Sequence, residues 1–286
     1  MAYIKHKLGK THYTKKGKKS SRAPLIWCHG GPGGSHQPDS RFFELARNRQ
    51  VYLYTQIGGG KSSPLTKNQM KIETFVWELK TLIKSWKLDH FYLAGNSWGA
   101  TLALEYFLRT RDKRIRGLIF QSPLICAKIW QKDAQRLISK MSKKDQKIIR
   151  FCQEINATDA HVYQQSMNRF YLKHVLRDQG LLDSLFGRTD PNGDQVYQTM
   201  WGNSEFHPTG PLKKYSRIKD LEKIDCPNLW IAGQFDESTP KSLKGYAKRI
   251  RNSEVKIIKG GSHCLILEEP KTLLNTVDRF TTRHDK

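Results

Sequence analysis

Short apolar runs, separated by polar stretches with helical spacing, recur along most of this chain. Pro24-Leu25-Ile26-Trp27-Cys28, Val51-Tyr52-Leu53-Tyr54, Phe91-Tyr92-Leu93-Ala94, Gly117-Leu118-Ile119-Phe120-Gln121, Asn228-Leu229-Trp230-Ile231-Ala232 and Glu254-Val255-Lys256-Ile257-Ile258 each read as a strand. Weaker strand candidates lie around Tyr3-Ile4 and His12-Tyr13. Between the runs, Ile72, Phe75, Val76, Leu79, Leu82, Ile83 and Trp86 fall at the spacing of one helix face, which predicts a helix within residues 70–86. Phe42 to Ala46 looks helical, and Ala100 to Leu108 is a good helix former. Thr239-Pro240 suits a helix start, and a final helix follows Glu268-Glu269-Pro270. Strands alternating with helices predict an α/β fold, with a mostly parallel sheet and helices on both faces. Ligands in such sheets sit at the carboxyl ends of the strands.

From about Cys126 to Tyr215 the rhythm changes. This segment is polar, helical in tendency and without a convincing strand, so it reads as a helical cap inserted into the core. The expected division is a first part of the core over 1–125, the cap over 126–215 and a second part of the core over 216–286. A chain of 286 residues buries enough surface for one such domain with an insertion.

Composition narrows the setting. No apolar run approaches the roughly 18 residues that span a bilayer. The first 20 residues carry seven lysines and no apolar stretch, so no secretory signal is expected. The five cysteines are scattered, form no Cys-x-x-Cys, and have no zinc-like spacing with histidine. A reduced, cytoplasmic protein without metal or cofactor is expected. The net charge of +24 raises the question of a nucleic-acid partner. The basic residues are spread over the whole chain, and no nucleic-acid motif with stacking aromatics accompanies them, so the charge reads as a lysine-rich solvated surface.

The candidate chemistry lies at the expected strand ends. Gly95-Asn96-Ser97-Trp98-Gly99 joins a strand to a helix as a Gly-x-Ser-x-Gly nucleophile elbow, which exposes the serine at the strand tip. A serine hydroxyl needs a base to take its proton, and the base needs a group that fixes its tautomer. Asp236 and His263 follow two later strands, and the order Ser97, Asp236, His263 is that of the α/β-hydrolases. Asp220 and Asp225 precede their strand and belong at the wrong end of the sheet. In such a site the oxyanion is held by the backbone N–H after the nucleophile, here Trp98, and by one from the loop after an early strand. His29-Gly30-Gly31-Pro32-Gly33 is that loop, with Gly31 as the donor. Neither this loop nor Gly60-Lys61-Ser62 satisfies a phosphate-binding pattern; position 55, where a P-loop needs glycine, is threonine.

Together, His29-Gly-Gly-Pro-Gly-Gly-Ser-His36, Gly95-Asn-Ser-Trp-Gly99 and Gly233-Gln-Phe-Asp-Glu-Ser-Thr-Pro240 resemble the proline iminopeptidases, serine peptidases of the α/β-hydrolase fold. Trp201-Gly-Asn-Ser-Glu-Phe206 with Thr209-Gly210 resembles a further segment of that family. The resemblance implies release of an N-terminal residue, often proline, from short peptides. It also implies that Glu205 and Glu237 hold the substrate's free amine, which suits charge-assisted hydrogen bonding to a cation. One departure is Thr55-Gln-Ile-Gly-Gly-Gly-Lys-Ser62, where the family usually begins with aspartate. Two alternatives stand beside this reading: hydrolysis of a small ester or other acyl compound, and a non-catalytic or nucleic-acid-binding protein on the same scaffold. Cys264, next to His263, is expected to be an inert thiol.

Overall fold

Every apolar run named above forms a strand, and all of them join one sheet. The computed structural model describes residues 2–187 and 189–285. The strands are β1 (Ala2–His6), β2 (Gly9–Lys16), β3 (Leu25–Cys28), β4 (Val51–Thr55), β5 (Phe91–Asn96), β6 (Ile115–Gln121), β7 (Asn228–Gly233) and β8 (Ser253–Ile258). Their order in the sheet is β1-β2-β4-β3-β5-β6-β7-β8. β1 and β2 form an antiparallel hairpin, and β2 runs antiparallel to β4. From β4 to β8 all neighbours are parallel.

The helices are α1 (Ile72–Trp86), α2 (Trp98–Thr110), α3 (Ala127–Ile138), α4 (Lys143–Glu154), α5 (His161–His174), α6 (Gln179–Phe186), α7 (Pro191–Met200), α8 (Pro240–Ala247), α9 (Leu265–Glu268) and α10 (Pro270–Arg283). Alternation along the central strands divides the core between two faces. Ile26, Tyr52, Leu93, Phe120 and Trp230 pack with α1, α2 and α8. Leu25, Leu53, Tyr92, Ile119 and Ile231 pack on the other face with Phe42, Leu45 and α10. The helix expected around Phe42 is a 3-10 helix, Pro38–Arg47. Its buried residues Asp39, Phe42 and Leu45 recur every third position, the period at which side chains line up in 3-10 winding.

The insertion between β6 and β7 holds α3 to α7 and has its own apolar cluster, including Leu137, Ile149, Tyr163, Phe170 and Phe206. It joins the core through a narrow neck. Ala127 N–H donates to the Tyr215 carbonyl (2.9 Å), and Arg217 N–H donates to the Ile125 carbonyl (3.0 Å). Among the described residues no helix is long and apolar enough to cross a membrane.

The sheet order also locates a crevice. β3 lies between β4 and β5, so the chain winds outward on one side of β3 and then on the other. That reversal opens a gap at the carboxyl ends of β3 and β5, where the glycine loop and the elbow emerge.

Candidate active site

The elbow is built by backbone contact. Ser97 has φ 52° and ψ −121°, a left-handed conformation that a non-glycine residue adopts only when its surroundings impose it. Its N–H donates to the Gln121 carbonyl at the end of β6 (2.9 Å), and its carbonyl accepts from Ala100 N–H in the first turn of α2 (3.1 Å). The flanking glycines permit this closeness. A Cβ on Gly95 would lie 2.4 Å from the Gly99 carbonyl carbon, and one on Gly99 would lie 2.0 Å from the Cys28 carbonyl oxygen.

Asp236 follows β7 and is fully enclosed. Its Oδ1 accepts from Ser238 N–H (2.8 Å) and faces His263 Nδ1 (2.9 Å). Its Oδ2 accepts from Ser122 Oγ (2.5 Å) and Gly233 N–H (3.2 Å). The acid–base pair is thus formed. Burial works to lower the His263 pKa, but the Asp236 carboxylate beside it outweighs this and raises it above the ordinary histidine value. Asp220 and Asp225 instead pair with Arg217, Lys223 and Arg111 before β7 begins.

Ser122 and Gln121 were not singled out by the sequence. Ser122 has φ 48°, and its N–H is held by the Ile231 carbonyl (2.7 Å). The Gln121 side-chain amide donates to Ser122 Oγ (2.7 Å) and to the His263 carbonyl (2.8 Å). The end of β6 therefore supports both members of the pair. The only local hint is Gln121-Ser122-Pro123 closing a buried strand. The partners lie more than 100 residues away in sequence.

The end of α5 fastens the cap to the acid and base loops. The His174 carbonyl accepts from Glu237 N–H (3.2 Å), and the Val175 carbonyl accepts from Cys264 N–H (2.8 Å). Trp130 of α3 meets the His263 ring edge-on, with centroids 5.7 Å apart. Glu205 comes from the cap and Glu237 from the core, yet both border the same cavity. Glu205 Oε2 accepts from the Tyr197 hydroxyl. Glu237 Oε2 is buried without a hydrogen-bond partner. Burial, then Glu205, then Asp236 push the Glu237 carboxyl well above the usual carboxylate range, and burial also raises Glu205. Glu205 is half-buried and lines the cavity.

That cavity has a volume of about 920 Å³ and lies between core and cap. Ser97, Trp98, Gly31, His263, Glu205 and Glu237 all line it, while Asp236 sits behind His263. Cys264 also borders it, with its thiol pushed well above the ordinary range by burial and by the Glu268 and Glu237 carboxylates, so no thiolate is available. At the departing motif, Thr55 Oγ1 pairs with His36 Nδ1 (2.8 Å). Burial lowers the His36 pKa to about 3, so threonine meets a neutral ring. Among the described residues there is no cluster of three or more His, Cys, Asp or Glu side chains arranged for a metal ion.

This geometry can be set beside known proteins. Residues 23–270 match the family model described as the alpha/beta hydrolase fold. The chain is 32% identical to the proline iminopeptidase of Heyndrickxia coagulans, over 95% of each chain. Its structure is similar to that of the proline iminopeptidase of Mycobacterium smegmatis, with a TM-score of 0.88, 25% identity and 99% of both chains covered. It is also similar to VinJ, with a TM-score of 0.92, 26% identity, and 99% and 98% of the two chains covered. The chain therefore belongs to the α/β-hydrolases and, within them, to the proline iminopeptidase family.

Proposed function

We propose that this protein is a serine aminopeptidase that releases the N-terminal residue, preferentially proline, from short peptides through an acyl-enzyme intermediate. The observation that carries this reading is the pair of buried carboxyl groups, Glu205 and Glu237, in the cavity that also holds Ser97. Among the described residues neither forms an ion pair with a lysine or arginine, and Glu237 Oε2 lacks any partner. Apart from the His263 ring, 3.8 Å from Glu237 Oε1, no basic side chain among the described residues offsets this carboxyl pair, and such a pair is costly unless a cation arrives to share the site. The primary ammonium of a peptide terminus, or the secondary ammonium of an N-terminal proline, supplies that charge and two or more N–H donors.

With the amine held there, the first carbonyl lies at Ser97. Ser97 Oγ attacks that carbonyl carbon as His263 Nε2 takes the hydroxyl proton. Asp236, bonded to Nδ1, fixes the tautomer and stabilises the imidazolium. The N–H groups of Gly31 and Trp98 receive the developing oxyanion. His263 then returns the proton to the leaving amine, and water repeats the sequence to free the amino acid. Residues 126–215 act as the cap that encloses the substrate. The five free cysteines support a reducing, cytoplasmic setting.

A panel of aminoacyl arylamides, free and N-blocked, tests the reading. Free proline arylamide is cleaved fastest, blocked substrates are poor, and Ser97→Ala abolishes turnover. Equal rates on blocked and free substrates would instead favour an ester or general acyl hydrolase.

A further inference from the structure

Gln56 belongs to the motif that departs from the family pattern, and the chemistry above makes no use of it. It follows β4 directly, and its side chain is fully buried. Because β4, β3 and β5 are adjacent in the sheet, the residues after them meet: Gln56 stands behind His29, Ser97 and Trp98, which line the cavity. Gln56 Oε1 accepts from the Trp98 indole Nε1 (2.7 Å), and its Nε2 donates to the His29 carbonyl (3.0 Å). Its backbone N–H donates to His29 Nε2 (2.9 Å).

A ring nitrogen that accepts a hydrogen bond carries no proton, so the proton of neutral His29 is on Nδ1. That Nδ1–H donates to the Gly30 carbonyl (2.9 Å). The Gly30 carbonyl and the Gly31 N–H belong to one planar trans peptide and point in opposite directions. The His29 ring therefore sets the aim of the Gly31 N–H. The neighbouring Ile57 N–H is anchored on the buried Glu78 carboxyl (2.8 Å), which steadies the turn from beneath.

We infer that Gln56 is the positioning residue of the oxyanion site: its amide side chain fixes the Trp98 indole, and its backbone, through the His29 ring, fixes the peptide that carries the Gly31 N–H. The inference rests on the reading of Gly31 and Trp98 as the oxyanion donors. Glutamine suits the position because the two neighbours need an acceptor and a donor from one planar group. Glutamate would face the His29 carbonyl with a second acceptor, and leucine would offer neither.

The test compares Gln56→Leu and Gln56→Glu with the wild-type protein. Three readouts are needed: turnover of proline arylamide, inhibition by an amino aldehyde against its amino alcohol, and the ¹⁵N resonances of the His29 ring. The aldehyde adds Ser97 Oγ to its carbonyl carbon and so presents an oxyanion, whereas the alcohol does not. In both variants kcat should fall about 10–100-fold with KM within about twofold, less than the ~10²–10³ lost with a whole oxyanion donor. Aldehyde affinity should fall in parallel and alcohol affinity should stay; with the side-chain bond to the His29 carbonyl gone, the backbone bond to His29 Nε2 loosens and the single Nδ1–H tautomer should give way to a mixture. A folded variant that keeps both the tautomer and kcat overturns the positioning role and leaves the oxyanion assignment untouched. A lost tautomer with unchanged kcat and aldehyde affinity overturns the oxyanion assignment itself. If neither Gln56 variant folds, Trp98→Phe, which removes the indole donor together with part of the ring's packing on Phe75, carries the test, with a smaller parallel loss of kcat and aldehyde affinity expected and no change overturning the role.

Discussion

Asp236 and Glu237 are neighbours in sequence, with 1% and 3% of their surfaces exposed, and their surroundings differ completely. Asp236 accepts from Ser122, Gly233 and Ser238 and pairs with His263. Glu237 has one oxygen without any partner, its other oxygen lies 3.8 Å from His263 Nδ1, and the carboxyls of Glu205 and Asp236 act on it. Burial alone therefore does not decide how an acid is held in this protein. The supply of donors does. The first carboxyl is held by donors and faces a histidine, and the second is the one we propose to meet a cation from outside. Glu78 lies between these extremes. Its Oε1 accepts from Thr11 and from Ile57 N–H, its Oε2 has no partner, and burial pushes it up to about 8.

The contrast can be broken most severely at its satisfied end. Asp236→Asn removes the charge that supports imidazolium formation, and kcat for proline arylamide should fall about 10³–10⁴-fold with KM little changed. A large rise in KM instead would assign Asp236 to substrate binding. At the waiting end, Glu237→Gln should raise KM for free-amine substrates about 10–100-fold, the loss of a charge-assisted hydrogen bond, and leave an amine-free ester unaffected. The pH sign follows from the raised carboxyl. A group held neutral in the empty cavity must ionise to hold an ammonium, so KM rises as pH falls and binding releases protons. Calorimetry in buffers of different ionisation enthalpy measures that release, and its absence would mean that the pair is already ionised or does not meet the amine.

Ser122→Gly sharpens the role of donor supply. It removes one hydrogen bond to Asp236 while relaxing a backbone at φ 48°, so kcat should fall about 3–30-fold while thermal stability holds. Unchanged kcat would show that Asp236 is secure with three partners.

The smallest effect concerns Glu78, away from the chemistry. In the folded protein it stays neutral up to about pH 8, whereas its ordinary pKa is 4.5. Folding therefore takes up a proton between these values, and stability falls as pH rises across them. Glu78→Gln should remove that slope, gaining about 2–4 °C in Tm at pH 8 relative to its effect at pH 5. Parallel Tm curves for the two proteins would mean that Glu78 ionises normally.

What the sequence disclosed followed how local each constraint is. The elbow was legible because Gly95, Ser97 and Gly99 are adjacent and each is required by contacts within one turn or with the end of β3. The strands were legible because the central ones are buried on both faces. Asp236 and His263 could be chosen by position after their strands. Ser122 could not, because its use depends on β6 and β7 ending side by side, which only pairing across the sheet reveals. Gln56 was quoted as a motif letter, but its reach to His29 and Trp98 depends on the order β4-β3-β5. The helix around Phe42 was legible as a helix, but its 3-10 winding was not, because a short apolar cluster does not separate a period of three from one of 3.6. Glu205 was reachable only by family resemblance, since nothing in its own segment marks it as facing the cavity.

The neck of the insertion has a further consequence. The chain leaves the core at Ile125 and re-enters at Arg217 with the two ends already hydrogen-bonded to each other. To the core, the intervening residues are equivalent to a closed hairpin, whatever their length. Substitutions, insertions or a wholesale replacement above the neck can reshape what is admitted to the crevice while the strand ends that break the bond keep their spacing. About a third of the protein is thus free to diversify by recombination, and the rest is held by the chemistry it performs.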